Sequence, residues 1–409
     1  MLIKRLRPVP GLLTLAALGF AIPGTSVAGP TDPFATSDLT PLATTDTDPR
    51  QAAIDHLAIQ TRDGLTMLAH WYIQGSMTPL PEPRSAEFMY TLGAHRGEKA
   101  WSDAALGATG AWVGLHLNDY LKWGVADSTR TDVPANGREA RKVKTLTGQS
   151  ELLELFTMAF QASGKELFRK AARSTAGDLL AWSRTADGVL AWTSNEPDTL
   201  AGPMASDAEM RLADERLARA ALVFGEPAWG VGGGNPAPTP LPAPAPPVTP
   251  VTQADSIATA RSALDLIRQA MWTHADSLIE EAGRRLEPLQ LATAPETRVM
   301  PLFAARASAG LALELSVRPS VMAYLVGDST SEGIRQLRDA AVRAWRPGKL
   351  VQVRSAGAED LLYPASEDGK PLAYVCSGEL CAPPTSDPTE VLALVGSFAL
   401  PEAPGAPGQ

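Results

Sequence analysis

Apolar side chains recur through most of this chain at helical spacing, and Gly or Pro interrupts them at intervals. Leu152, Leu153, Leu155, Phe156, Ala159 and Phe160 fall at i, i+3 and i+4, which puts them on one face of a helix. Ser150 is the predicted cap and Gly164 the predicted stop. A second helix carries Leu167, Phe168, Ala171, Ala172, Leu179 and Trp182 and ends before the Asp187-Gly188 turn. A third opens on a predicted capping box, Ser206 with Glu209. It runs through Met210, Leu212, Leu217, Ala220, Ala221 and Phe224 to a stop at Gly225 and Pro227. Residues 84–97, 100–123, 255–273 and 301–315 add further helices. Short Gly-containing turns between helices make antiparallel hairpins. Hairpins repeating every roughly 40–55 residues predict a ring or solenoid, each burying its apolar face on its neighbours.

The last hundred residues change period. Val321–Val326 (VMAYLV) reads as a buried strand and Gly327-Asp328 as a turn. Ser329 and Glu332 fit a second capping box, and Ile334, Leu337, Ala341, Val342 and Trp345 line one helical face. Pro347-Gly348 breaks that helix before a second strand, Lys349–Val353. A β-α-β unit predicts parallel strands with a right-handed crossover. Leu372–Val375 is a candidate third strand, and Asp387-Pro388 starts a final helix through Leu394.

The ends and breaks set the expected organisation. Lys4, Arg5 and Arg7 precede the apolar stretch Gly11–Ile22, and Ser26 and Ala28 occupy the −3 and −1 positions of a cleavage site. That order predicts a secretory signal peptide over residues 1–28 and a periplasmic or extracellular protein. No Cys lies near that site to carry a lipid. Residues 29–48 form a Pro-, Thr- and Asp-rich lead-in, and 230–253 a Pro/Gly-rich insert. The expected domains are an α/α-hairpin body over 49–318, interrupted by that insert, and a small α/β unit over 319–397. A disordered tail over 398–409 is expected to follow. The formal charge of −9 argues against a nucleic-acid partner, because a phosphate backbone demands a basic surface. Any membrane association is expected only through an uncleaved signal.

Candidate chemistry is sparse. Cys376 and Cys381 are spaced C-x4-C, neither the C-x2-C of a thioredoxin-type redox centre nor part of a four-ligand zinc set. A structural disulfide is the default reading. The five His residues form no tight ligand pair, so no metal or other cofactor is expected. His116 sits beside Trp112 and Leu115 as a core residue. His95 lies near a helix end, where a His meets the last carbonyls. The Gly327–Ser331 loop could hold an anion, but helix capping explains the same residues. The carboxylates Asp119, Asp127, Asp132, Glu139, Glu196 and Asp198 remain, with Trp123 and Trp192 as sugar-stacking faces. Paired acids in a hairpin-ring cleft suit glycoside chemistry. The alternative is that these are solvated loop acids.

Lys370–Pro388 (KPLAYVCSGELCAPPTSDP) resembles the end of the thioredoxin-domain-containing family that includes spermatogenesis-associated protein 20. Members of that family typically end in K-P-x-A-Y-V-C-x4-C-x-x-P-x-x-D-P. Val321–Gly327 and the turn Arg346-Pro-Gly-Lys-Leu-Val351 look like the same C-terminal unit, so the similarity covers roughly 319–397. Upstream, Tyr120–Val133 is similar to the family's R-Y-S-V-D-x-x-W-x-V-P segment, with Asp127 on its Asp and Pro134 on its Pro. Gly188–Asp198 is similar to its G-G-F-Y-S-x-x-D-A-D segment. The resemblance implies an (α/α)6-like toroid, complete or incomplete, of the six-hairpin glycosidase type, a superfamily of sugar hydrolases and epimerases. Two departures stand out. The family's N-terminal thioredoxin-like domain has no counterpart here, and its H-F-E-K-M run is replaced by Ala135–Lys142, where only Glu139 can stand for the acid. The leading expectation is an exported toroid that binds a carbohydrate or cell-envelope ligand in a central cleft, without catalysis. Trp123, Trp192 and Glu196 would contact that ligand. A second is a hydrolase or epimerase acting through Asp127, Glu139 and Asp198. A third is a scaffold whose Pro-rich insert docks a partner.

Overall fold

The computed structural model describes residues 49–73, 83–116, 143–181, 184–185, 188–194, 203–229, 253–273, 275–289, 300–318, 320–355, 363–378 and 380–398. The expected signal peptide and lead-in, the insert up to residue 252 and the expected tail beyond 398 lie outside these. The expected class, mainly α with a small C-terminal α/β unit, is the one the chain adopts.

The helical part begins with α1 (Pro49–Ile73), a helix the sequence reading did not single out. Its buried stripe is Ile54, Leu57, Ala58, Thr61 and Leu65, and Pro49 stands at the first helical position, where a missing N–H does no harm. Two helices follow, α2 (Pro83–Arg96) and α3 (Lys99–His116). A short strand β1 (Val143–Thr145) leads directly into α4 (Leu146–Ser163). The cap of α4 is Thr145, whose hydroxyl accepts from Gly148 N at 3.0 Å, rather than the expected Ser150. The helix starts earlier because Thr145 both closes β1 and caps. Ser150 lies inside the helix and donates to the Thr147 carbonyl. Gly164 ends α4 in the left-handed region, φ 65°, which a side chain would disfavour.

After α5 (Glu166–Leu180) come three short strands, β2 (Arg184–Thr185), β3 (Gly188–Val189) and β4 (Trp192–Ser194). β2 pairs with β3 and β1 with β4, both antiparallel. The expected capping box opens α6 (Asp207–Phe224). Ser206 Oγ accepts from Glu209 N and Glu209 returns a carboxylate to Ser206 N, and Gly225 ends the helix. The body continues with α7 (Gln253–Thr273), α8 (Asp276–Leu286) and α9 (Met300–Val317); α8 also escaped the sequence reading. Helices adjacent in sequence pack together, α2 on α3, α4 on α5 and α7 on α8. Between hairpins, α7 packs on α9, α9 on α2, α2 on α4 and α4 on α6. The α2–α9 contact is tight. A Cβ on Gly310 would meet the Phe88 ring at 2.4 Å.

The C-terminal sheet has the order β6-β5-β7-β8, from β5 (Val321–Val326), β6 (Leu350–Arg354), β7 (Leu372–Ser377) and β8 (Leu380–Cys381). β5 and β6 are parallel, as the β-α-β pattern requires, and β7 is antiparallel to β5. Val321, Ala323 and Leu325 pack on helices α10 (Glu332–Arg343) and α11 (Pro388–Ser397), while Met322, Tyr324 and Val326 pack beneath Tyr363 and Tyr374. Burial on both faces explains why β5 reads as an unbroken apolar run. The expected Ser329–Glu332 box is corrected: Ser331 caps α10, and Glu332 is its first helical residue. Asp328 takes up the turn instead, accepting from Thr330 N at 2.9 Å. Asp387 caps α11 as expected, though the helix extends to Ser397.

Candidate functional site

Of the sequence-predicted site residues, Asp127, Glu139, Trp123, Glu196 and Asp198 lie outside the described residues. Trp192 lies in β4 with its backbone opposite Thr145, and its side chain lies outside the description. Cys376 and Cys381 are direct partners in the β7–β8 register and form a disulfide, S–S 2.11 Å.

The described residues do bring together a different cluster. Arg84 and Glu87 are one turn apart on α2, Glu151 and Glu154 on α4, and Arg216 and Arg219 on α6. Arg261, Asp265 and Arg268 follow at i, i+4 and i+7 on α7. Helical spacing puts each group on one face of its helix, and four helices turn those faces towards one another. Glu87 accepts from Arg84 Nη1 at 2.7 Å with one oxygen and from Arg268 Nη2 at 2.7 Å with the other. Arg84 Nη1 also reaches Glu154 Oε1 at 3.4 Å, and Glu154 Oε2 accepts from Arg216 Nε at 2.9 Å. Arg216 Nη1 donates to Ser150 Oγ at 2.7 Å, and Arg216 Nη2 lies 3.8 Å from Glu151. A continuous chain of alternating charge thus runs Arg268–Glu87–Arg84–Glu154–Arg216 across α7, α2, α4 and α6. The guanidinium fork suits this, since one Arg can serve two carboxylates in fixed geometry.

Burial and charge compete at each carboxylate. Burial alone would raise the Glu154 pKa, but Arg84 and Arg216 outweigh it and hold the group down to about 2. Burial opposes ionisation of Glu87 in the same way, and Arg268 and Arg84 bring it below the ordinary value. Both are therefore charged at neutral pH and have no proton to give. Asp265 goes the other way. Its desolvation exceeds the pull of Arg268, Arg84 and Arg261, and its pKa rises. The cluster can hold fixed charges and hydrogen-bond a polar ligand. Of Glu87, Glu154 and Asp265, Asp265 alone is displaced towards proton donation.

The sequence reading missed this cluster because it sought acids in loops beside Trp. A signal was present. Glu154 interrupts the run Leu152-Leu153-Glu154-Leu155-Phe156, and a carboxylate among core-facing positions needs a partner.

A second buried pair lies elsewhere in the body. His95 Nδ1 is 2.8 Å from Glu314 Oε1, with side chains 1% and 0% exposed, so His95 of α2 reaches α9 and not the carbonyls ending its own helix. Arg96 beside it pairs with Asp55 of α1 at 2.7 Å. An apolar pocket of about 110 Å³, lined by residues including Leu146, Leu179, Val189 and Met210, takes no residue from the charged chain. Among the described residues no group of His, Cys, Asp and Glu is arranged to hold a metal ion, and no helix is long and apolar enough to cross a membrane. No protein-family model matches this chain, and no curated protein matches it.

Proposed function

We propose that this is an exported protein whose helical body, an α/α toroid or an incomplete one, binds a carbohydrate or cell-envelope ligand without turning it over. The observation that carries this reading is the charged chain Arg268–Glu87–Arg84–Glu154–Arg216. It gathers fixed guanidinium and carboxylate groups from four helices at one place, and such groups orient polar ligands. The packing sequence α7, α9, α2, α4, α6 supports an arc of inner helices around that place. The secretory N-terminus and the C-terminal resemblance support export and the toroid. Glycoside cleavage needs one protonated acid and one charged carboxylate. Glu87 and Glu154 are both held ionised by arginines, which favours binding over hydrolysis at this pair.

The test is a thermal-shift screen of the protein against glycans and envelope fragments, since a ligand that binds only the folded state raises the melting temperature. A hit whose ligand is recovered unchanged supports the reading; no shift across a broad panel sinks it. A second reading, a hydrolase or epimerase, draws on Asp265, whose carboxyl is pushed up while its neighbours are pushed down. Opposed shifts mark acid–base pairs. Product formation by the wild type that is lost in Asp265→Asn would favour it.

A further inference from the structure

The charged chain is not symmetric with respect to solvent. Its carboxylates are the hidden members, Glu87 at 9% and Glu154 at 8% side-chain exposure. Two of its arginines, Arg84 at 20% and Arg268 at 24%, are the accessible ones. Any molecule reaching the chain from water therefore meets guanidinium groups first. Two further arginines extend this edge. Arg219 lies one turn beyond Arg216 on α6, and Arg261 two turns before Arg268 on α7. Neither makes a hydrogen bond or ion pair among the described residues. Five arginines thus stand against Glu87, Glu151, Glu154 and Asp265, a local cationic excess in a chain whose formal charge is −9. Guanidinium groups held near one another repel unless an anion lies among them, and they bind carboxylate and phosphate through paired, charge-assisted hydrogen bonds.

On the ligand-binding reading above, we infer that this site selects glycans carrying oxyanions, either uronate carboxylates or sugar phosphates, and that Arg219 and Arg261 are its anion contacts. Arg84, Arg216 and Arg268 are engaged by carboxylates, so a ligand need not break the chain to bind. A neutral glycan would gain no charge-assisted contact from these two cations.

The test is calorimetric titration of the full chain with trigalacturonate, with its carboxyl-reduced neutral trisaccharide, and with glucose 1-phosphate. Binding of trigalacturonate or of the sugar phosphate, at least about tenfold tighter than the neutral trisaccharide and weakening as salt is raised, is the expected result. Whichever anion binds identifies the source of the charge. Arg219→Gln with Arg261→Gln should lower that affinity at least about tenfold, because each deletes a charge-assisted contact. Melting without ligand should fall only slightly, since the two side chains act on Glu154 and Asp265 through space and make no hydrogen bond among the described residues. Arg219→Lys with Arg261→Lys should restore part of the binding. Equal affinity for the neutral and anionic trisaccharides would overturn the anion assignment and leave the glycan-binding reading intact. Unchanged binding by the Gln variant would overturn the roles of the two arginines. No binding in any arm would overturn this inference, whereas the binding reading falls only if the broader glycan screen is also empty.

Discussion

Glu154 and Leu325 are both buried, yet they hold their surroundings together by opposite means. Glu154 lies in the helical body, among Leu and Phe, and is kept there by Arg84 and Arg216. Leu325 lies in the central strand of the C-terminal sheet, in an apolar cluster with Ile334, Leu337, Val375 and Val391. The body thus has a charged seam through its interior, while the sheet packs apolar side chains on the side facing α10 and α11. A buried charge is tolerated only with its partners in place, and losing one partner strands the other. A buried Leu depends on contact area and so tolerates partial loss. The body should therefore respond to pH and to single charge deletions, and the sheet to volume.

The largest expected effect breaks the seam. Glu154→Ala takes from Arg216 its nearest carboxylate and from Arg84 its second, leaving them Glu151 and Glu87, and should destabilise by up to about 3–5 kcal/mol, measured by urea unfolding. Replacing Glu154, Arg84 and Arg216 together by Leu or Met should recover much of that loss, because well-packed apolar groups often match a buried ion network. If the single variant unfolds at the wild-type urea concentration, the seam is not structural and the contrast between the two regions collapses.

Acid sharpens the same contrast. The folded pKa of Glu154, about 2, lies below its ordinary 4.5. The stability it contributes is therefore complete above the ordinary value and is lost as pH falls from there through about 2. Glu87 is shifted in the same direction. The unfolding midpoint should drop across that window in the wild type and less steeply in Glu154→Gln. Hydrogen exchange should show α4 and α6 losing protection before β5 does.

Leu325→Ala tests the other side. It should destabilise by about 2–5 kcal/mol, with little dependence on pH or salt. A loss that varies strongly with salt would place charge in a region that has none in its cluster. Next comes the disulfide. Cys376→Ser with Cys381→Ser opens a loop of sequence separation 5, which should remove about 2 kcal/mol in the chain-entropy model. The loss of protection should be confined to β8 and the start of α11.

How much of this was legible beforehand follows the same division. The dry sheet announced itself, because VMAYLV is a run of apolar residues between turn signals and a strand buried on both faces has no other signature. Its parallel partner followed from the β-α-β order. The helices whose stripes are mostly apolar were also legible, with Gly164 and Gly225 as their stops. The helix α1 was not, because Gln51, Asp55, His56, Gln60, Arg62 and Asp63 dilute its stripe. The seam was hidden for a related reason. Arg84, Glu87, Glu154 and Arg268 look like surface residues one at a time, and only tertiary contact across α2, α4 and α7 reveals them as a set. The Tyr120–Val133 and Gly188–Asp198 segments, on which the sequence argument for Asp127 and Asp198 leaned, leave those carboxylates outside the described residues, so Asp265 is the acid that geometry adds.

The smallest effect separates the two regions at their helix starts. Ser206 and Glu209 form a reciprocal box on α6, three bonds between cap and third residue. Ser331 caps α10 with one bond, to Ile334 N at 3.3 Å, and Glu332 turns to Gln336 and Arg335 instead. A lost Ser cap costs about 1 kcal/mol. Ser206→Ala also releases the Glu209 carboxylate from one of its two partners on Ser206, so it should exceed Ser331→Ala by a few tenths of a kcal/mol. Paired urea titrations of the two variants measure the difference. If Ser331→Ala is the more damaging, the turn at Asp328 and Thr330 depends on that cap, and the C-terminal unit is held by polar contacts at its surface even where its core is dry.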